Sequence, residues 1–241
     1  LSDGEGGSDT ADLVITVDPV NDAPVASGTI ADQSDDDAGV VAGVATSSFF
    51  SDIDGDVLGY SASGLPAGLS IDPVTGVISG TIDNSASQGG PASDGVYSVT
   101  VTADDGNGGT VDQTFTWTVA NPAPVANDDA ASTDEDVAVS GNVIGSGGAG
   151  DVADSDADGD MLSVTTFVVA GDPATYNAGD TATIAGVGTV LLASDGSYTF
   201  TPDADWNGTV PAITYTLSDG EGGSDTADLV ITVDPVNDAP V

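Results

Sequence analysis

Lysine, arginine, histidine and cysteine are all missing from these 241 residues, which carry 40 acidic side chains and a formal net charge of -40. Each absence removes a class of chemistry. With no cationic side chain, nothing can meet a phosphate, so nucleic acid is excluded as a partner and an anionic membrane surface with it. Without His, Cys or Lys there is no Ser-His-Asp triad, no thiolate nucleophile, no Schiff base and no nitrogen or sulfur ligand for zinc. The lack of cysteine also rules out a disulfide framework. No apolar run approaches 18 residues and no secretory leader is legible, so membrane insertion is not expected. Because the chain opens in mid-repeat, targeting signals are expected outside it.

What remains is the chemistry of oxygen. Carboxylates can work in pairs, as in glycosidases, or they can build an all-oxygen cation site of the kind calcium accepts. The acids cannot neutralise one another, and self-repulsion opposes compaction unless counter-ions or bound metal offset it. Disorder is the other reading of such a charge. It is set aside because hydrophobic residues make up 39% of the chain and Val, Ile, Tyr, Phe and Thr fall in alternating runs.

The chain repeats itself. Residues 1–25 read LSDGEGGSDTADLVITVDPVNDAPV, and residues 217–241 read the same, at an offset of 216. One period of a tandem array, plus an overhang, explains this, and arrays are usually spacers, scaffolds or multivalent binders. Within the period two segments end alike. Asp105-Gly106-Asn107-Gly108-Gly109 leads into an alternating run and then Asn121-Pro122-Ala123-Pro124-Val125, while Asp219-Gly220-Glu221-Gly222-Gly223 leads into another and then Asn237-Asp238-Ala239-Pro240-Val241. A Gly-rich hairpin turn, a last strand and a Pro-containing linker thus close each unit. The division is residues 1–17 as the final hairpin of a preceding repeat, 18–25 as linker, 26–120 as a first domain, 121–125 as linker, 126–234 as a second domain and 235–241 as linker to the next repeat.

Period-two alternation dominates, as in Leu13-Ile15-Val17 and Phe115-Trp117, and no stretch has convincing helical periodicity. The expected fold class is all-β: tandem Greek-key sandwiches joined end to end. The first core is expected to include Leu58, Tyr60, Leu69, Ile71, Ile78, Val99, Val101, Phe115 and Trp117. The second is expected to include Leu162, Val164, Phe167, Ile184, Leu191, Tyr198, Phe200, Tyr215, Leu229 and Ile231. Residues 11–17 pose a problem, because the strand is amphipathic and its home domain is missing. Alone it should fray or expose Leu13, Ile15 and Val17.

Asp52, Asp54 and Asp56 precede the strand at Leu58, and Asp154, Asp156, Asp158 and Asp160 precede the strand at Leu162. Three carboxylates within about 6 Å of one another repel by roughly 3 kcal/mol per pair at an effective dielectric near 20. A structured loop does not usually accumulate that without a cation. The second cluster matches the first half of an EF-hand loop and then departs from it, with Thr165 at the twelfth position and β-type sequence following. Asp105 and Asp219 hold equivalent places in the two Gly-rich turns. If the linker, the acidic loop and the last hairpin meet at one end of each sandwich, they build an interdomain Ca2+ cage. Asn21, Asp22, Asp52, Asp54, Asp56 and Asp105 would form one, and Asn127, Asp128, Asp154, Asp156, Asp158, Asp160 and Asp219 the next. Asn207-Gly208-Thr209 and Trp206 read as a turn and a packed sandwich edge rather than as a glycan site and a sugar platform.

These residues carry a family resemblance. GLPAGLSIDP at 64–73 with TGVISGT at 75–81 and the DIDGD loop at 52–56 resembles a dystroglycan-type cadherin-like module. Asn127-Asp128-Asp129, Asp134-Glu135-Asp136, the DSDADGD loop, DGSYTFTP at 195–202 and the DGEGG turn resemble the bacterial cadherin-like or VCBS repeat of giant RTX-type surface adhesins. The resemblance implies an extracellular, calcium-stiffened extender with no enzymatic activity. Its partners would be neighbouring repeats of the same chain, and other copies in a fibre. One departure stands out: Pro122 sits where the other linkers have Asp22 and Asp238, so Asp128 or Asp129 would have to substitute. The alternative reading is a homotypic or carbohydrate-binding adhesion module assembling into a multi-chain filament. Catalysis by a carboxylate pair ranks last, since the aspartates fall in metal-loop spacing.

Overall fold

A computed structural model of the chain describes residues 1, 4–6, 9–146 and 150–237. Residues 2, 3, 7 and 8 of the expected leading hairpin, and 238–241 of the expected final linker, lie outside the described residues. Two all-β sandwiches follow one another. The first contains β1 (Val25–Ala26), β2 (Gln33–Asp36), β3 (Val40–Ala45), β4 (Phe50–Ser51), β5 (Gly59–Ser63), β6 (Leu69–Ile71), β7 (Val77–Thr81), β8 (Val96–Asp104) and β9 (Thr110–Ala120). One sheet runs in the order β2-β9-β8-β5, the other β3-β7-β6, and β1 pairs with β4.

The second sandwich has β10 (Asp129–Asp134), β11 (Val139–Asn142), β12 (Ser163–Val169), β13 (Thr175–Asn177), β14 (Thr181–Ile184), β15 (Gly188–Leu192), β16 (Ser197–Pro202), β17 (Gly208–Thr209), β18 (Ile213–Ser218) and β19 (Ser224–Asp234). Its sheets run β10-β19-β18-β12-β13, with β17 also on β19, and β11-β16-β15-β14. In each domain the strand that opens the large sheet runs parallel to the domain's last strand: β2 to β9 and β10 to β19. This pairing carries the chain to the far end of the sandwich before the hairpins begin. The linker ahead of it therefore stays at the opposite end, beside the turn that precedes the last strand.

Alternation makes the cores. In β9, Phe115, Trp117 and Val119 turn inward while the threonines between them face out, and in β19 the inward set is Ala227, Leu229, Ile231 and Val233. The buried Trp117 indole N–H is satisfied by donating to Asp35 Oδ2 at 3.0 Å. One expected core residue is misassigned. Leu191 is exposed, whereas Val190 and Leu192 on either side are fully buried. Three consecutive apolar residues hide the period of two, and pairing with β16 settles it by setting Val190 opposite Phe200 and Leu192 opposite Tyr198. Leu58, Tyr60, Leu69, Ile71, Leu162 and Ile184 pack against the cores as partly buried residues. Trp206 packs in the same way at the rim of the second core.

The repeated segment takes two conformations. Leu1 and Asp9 exchange backbone hydrogen bonds of 2.9 and 3.0 Å, the same pairing that joins Leu217 to Asp225. Beyond it, residues 9–24 belong to no strand. Leu13, Ile15 and Val17 are 84%, 74% and 85% exposed, whereas Leu229, Ile231 and Val233 are at 0%, 0% and 1%.

The same substitution should therefore behave differently at two places with the same local sequence. Leu229→Ala should lower stability in urea unfolding by about 2–5 kcal/mol. Leu13→Ala should leave it within about 0.5 kcal/mol. Equal effects would mean that the leading segment is packed as the final one is.

Candidate metal centres

Both acidic loops sit at the end of their sandwich where the linker arrives, and a short ladder fixes the meeting. Val25 of the first linker pairs with Ser51, and Val125 of the second pairs with Ser155. The residue after each serine opens the acidic loop. Asp52 Oδ1 accepts the N–H groups of Asp54 and Asp56 at 2.8 and 3.3 Å. Asp156 Oδ1 accepts those of Asp158, Gly159 and Asp160 at 3.1, 3.2 and 3.4 Å. Gly55 and Gly159 take the left-handed conformation that folds each loop back on its first carboxylate. Asp52, Asp54 and Asp56 bring one carboxylate oxygen each within 4.8 Å of one another. Among the described residues no other acidic trio closes to that distance.

The Gly-rich turns form the second wall. Asp105 Oδ1 accepts the N–H groups of Asn107 and Gly109 at 2.7 and 2.9 Å, and its Oδ2 accepts Asn21 Nδ2 at 3.0 Å. Asp219 Oδ1 accepts Glu221 and Gly223 N–H at 2.8 and 3.0 Å, and its Oδ2 accepts Asn121 Nδ2 at 2.8 Å. The Asn21 amide, backed by those backbone donors, holds Asp105 below the usual carboxylate range. The last glycine of each turn is required by this meeting. A Cβ on Gly109 would strike the Asp105 carboxylate and Ala23 of the linker, and one on Gly223 would strike Asp219 and Ala123.

Equivalent positions can now be matched. Asp52, Asp54, Asp56, Asn21 and Asp105 correspond to Asp156, Asp158, Asp160, Asn121 and Asp219. One difference follows from covalent chemistry. Asp22 N–H donates to Asp54 Oδ2 at 2.7 Å, but its counterpart Pro122 has no N–H. Asp158 is left with both carboxylate oxygens buried and without a donor. Burial first, then the neighbouring Asp156 carboxylate and the charge of Asp160, push Asp158 up to about 7.

The second centre also draws on the first domain. Asp160 is raised by burial, and then by the charges of Asp156, Glu221, Asp219 and Asp37. Asp37, just beyond β2, is buried; its Oδ1 accepts Ser87 N–H at 2.9 Å and its Oδ2 has no partner. Next to Ser87, Gln88 Nε2 donates across the junction to the Glu221 carbonyl at 2.9 Å. Among the described residues seven buried side-chain oxygens lack a hydrogen-bond partner, and six of them belong to residues of this junction. They are Asp37 Oδ2, Asn121 Oδ1, Asp156 Oδ2, Asp158 Oδ1 and Oδ2, and Asp160 Oδ2; the seventh, Asp52 Oδ2, holds the matching place in the first centre. A buried charged oxygen without a donor costs more than the roughly 1–3 kcal/mol of a neutral group. An oxygen-only donor set of this kind fits a hard divalent cation.

Three residues expected at the second centre point elsewhere. Asn127 donates its backbone N–H to Asp154 Oδ1 at 2.7 Å and its side-chain amide to the Ala153 carbonyl at 2.9 Å. Asp128 accepts Asp228 N–H at 2.9 Å on the face of β19. Asp154 turns into the domain, where its Oδ2 lies 3.1 Å from the Tyr215 hydroxyl. That hydroxyl also lies 3.3 Å from Asp129 Oδ2 and 3.0 Å from the Asn127 carbonyl, so one proton serves several acceptors. Asp129, deeply buried, is pushed up to about 6 by burial first and then by the charges of Asp151 and Asp154, against the Val152 N–H that it accepts. Conversely, Asn121 and Asp37 join the centre although sequence spacing does not single them out. Asn121 was readable by aligning NPAPV with NDAPV. Asp37 lies in a run, Asp35-Asp36-Asp37, with no metal spacing at all.

Residues 121–235 match the family model of the bacterial cadherin-like domain, and residues 23–120 match that of the family described as "Putative Ig domain". The chain is thus built of an Ig-like and a cadherin-like module in tandem. No curated protein matches it. Similar solved structures include an endo-fucoidan hydrolase of glycoside hydrolase family 107, at 20% identity over 92% of this chain and 30% of that one, with a TM-score of 0.38. Drosophila N-cadherin EC1-4 is 16% identical over 89% of this chain and 50% of that one, with a TM-score of 0.38. Human Protocadherin-24 EC1-2 is 18% identical over 91% of this chain and 100% of that one, with a TM-score of 0.37. The chain therefore spans under a third of the first of these proteins.

The Asp129 environment gives a signed pH dependence. Its folded pKa lies above that of an unfolded aspartate, so between about pH 4 and 6 the folded state holds the extra proton and stability falls as pH rises. Asp129→Asn mimics the protonated form and keeps an oxygen for Val152 N–H. The variant should be more stable than the parent above pH 6 and should lose that advantage near pH 4, as read by urea unfolding at both pH values. An advantage that does not change with pH would show that Asp129 is ionised throughout.

Proposed function

We propose that this Ig-like and cadherin-like tandem is an extender segment of an extracellular adhesin or surface fibre, with calcium bound at its domain junctions. The observation that supports this best is the set of six buried, donor-less oxygens drawn from both domains and the linker between them. A cation there is coordinated by Asp156, Asp158 and Asp160 of the second domain, by Asn121 of the linker and by Asp37 of the first domain. It ties three segments whose relative motion would otherwise be a hinge. The first centre, with Asp52, Asp54, Asp56, Asn21 and Asp105, is its counterpart at the preceding junction.

The chemistry favours calcium over magnesium. Calcium takes six to eight oxygens in flexible geometry, whereas magnesium demands near-ideal octahedra and keeps its waters. Stiffness then sets reach: β9 and β19, of 11 residues each, span roughly 35 Å at about 3.3 Å per residue. Near-identical repeats suit such a role because length matters more than local specificity. No helix among the described residues is long and apolar enough to cross a membrane. Carboxylate-pair hydrolysis is the weaker reading, since the clustered acids sit in loops at domain ends, bound to backbone N–H groups and linker amides.

Thermal unfolding in millimolar calcium, in magnesium and in chelator at fixed ionic strength tests this reading, with small-angle scattering alongside. A ligand at 100 times its Kd stabilises by about 2.7 kcal/mol, which for a domain of this size is a rise in Tm of roughly 10 °C or more. The rise should be specific to calcium, and the particle should lengthen with it. Asp158→Asn with Asp160→Asn should remove most of the calcium effect at the junction while leaving the chelated protein as stable as before or more so, because repulsion is relieved. A calcium response that survives the double substitution combined with Asp54→Asn and Asp56→Asn would move the metal away from both centres, and no response at all in the parent would sink the proposal.

A further inference from the structure

The two centres are built from the same parts, and the differences between them run in one direction. At the first, Asp54 Oδ2 accepts Asp22 N–H at 2.7 Å and Asp56 Oδ2 accepts the Asn107 side-chain amide at 2.8 Å. At the second, Pro122 stands in the place of Asp22 in the linker and Glu221 in the place of Asn107 in the Gly-rich turn. Neither can donate, since proline has no N–H and a carboxylate only accepts. Glu221 instead adds its charge to those acting on Asp160. The domain ahead of each linker differs likewise. Asp37 and Glu135 are counterparts: each follows the strand that opens its large sheet and donates its backbone N–H at 2.9 Å to the end of the last strand, at Ala120 and Asp234. Glu135 satisfies both carboxylate oxygens, with Val236 N–H at 2.6 Å and Asn207 Nδ2 at 3.1 Å. Asp37, only 4% exposed, leaves Oδ2 without a partner, and its charge also reaches Asp160. The linkers differ in length as well. Asn121 follows Ala120 directly, whereas Pro235 and Val236 separate Asp234 from Asn237, as Pro19 and Val20 separate Asp18 from Asn21.

We infer that the two kinds of junction answer to calcium unequally. Pro122 and Glu221 deny donors to the carboxylates of the junction entering the cadherin-like module, and Asp37 brings it a further unpartnered oxygen, so this junction depends on the cation and binds it more tightly. Asp22 and Asn107 hold the carboxylates of the junction entering the Ig-like module when no cation is present. The inference rests on the reading of both centres as calcium sites and adds the order in which they fill. A buried carboxylate without a donor raises the free energy of the cation-free state, and its relief on binding is expressed as affinity and as stabilisation. As calcium falls, the Ig-side junction empties first. With its longer linker it becomes the hinge, while the Ig-like and cadherin-like modules stay joined as one stiff pair.

The test titrates calcium into the whole chain, by calorimetry and thermal unfolding, with one centre disabled at a time. Asp54→Asn with Asp56→Asn isolates the cadherin-side centre, and Asp158→Asn with Asp160→Asn isolates the Ig-side one. At the cadherin-side centre, Pro122→Ala with Glu221→Asn restores both donors. The exchange should weaken calcium binding by about tenfold or more and raise Tm in chelator. At the Ig-side centre, Asp22→Pro with Asn107→Glu should do the reverse, tightening calcium binding and lowering Tm in chelator. Each comparison stays within one centre, so neighbouring repeats do not enter it. If the parent binds calcium and neither exchange changes the affinity, the inference is overturned and calcium at the junctions stands. Weaker binding at the cadherin-side centre with no gain in chelator would also overturn it, because Glu221 would then be a plain ligand. A parent that binds no calcium would remove the reading and the inference together.

Discussion

Forty negative charges and no positive side chain leave three ways to bury a carboxylate in this protein: backbone or amide N–H donors, a retained proton, or a cation. The structure sorts its buried acids along those lines. Asp105 and Asp219 take N–H donors from their own turns and an amide from the linker. Asp129 keeps a proton to about pH 6 beside the Tyr215 hydroxyl. Asp37 Oδ2, Asp156 Oδ2, both oxygens of Asp158 and Asp160 Oδ2 have no N–H donor. They converge where two domains and a linker meet.

That convergence follows from topology rather than from the acids. The opening strand of each large sheet runs parallel to the last, which sends the chain away from the linker end before any hairpin forms. The linker, the loop after β4 or its counterpart, and the turn before the last strand are then left together at one end. The short pairings Val25–Ser51 and Val125–Ser155 lock the linker to the acidic loop. Glycines 109 and 223 allow the turn to press against Ala23 and Ala123. The backbone thus brings linker, loop and turn together at each centre, and Asp52, Asp54 and Asp56 already bring one oxygen each within 4.8 Å of one another.

Much of this was legible in the chain. Alternation identified the strands, and the DxDGD spacing and the Gly-rich turns marked the two ends of each centre. Leu191 was misread because three apolar residues in a row carry no phase. Asp154 was grouped with its neighbours by spacing. It faces Tyr215 instead, because the loop that holds Asp156 begins after Ser155 pairs with Val125. Asp37 was unreadable, since nothing local to it differs from a solvated acidic run. Its place beside the candidate centre comes from the end of the first domain, where it accepts Ser87 N–H and the next residue, Gln88, reaches the Glu221 carbonyl.

The repeated 25 residues mark the boundary between the two kinds of information most sharply. The sequence by itself determined that DTADLVITVD is strand-forming, with one apolar face and one polar face, because side-chain alternation is a covalent property of the chain. It could not determine that the segment at 225–234 is a buried central strand while the same letters at 9–18 lie in no strand, exposed. A strand has no stability of its own: its N–H and C=O groups need neighbouring strands, and its apolar face needs an opposing sheet. β10, β18 and the facing sheet supply those to residues 225–234, so the strands beside a segment, and not its letters, decide whether it is buried.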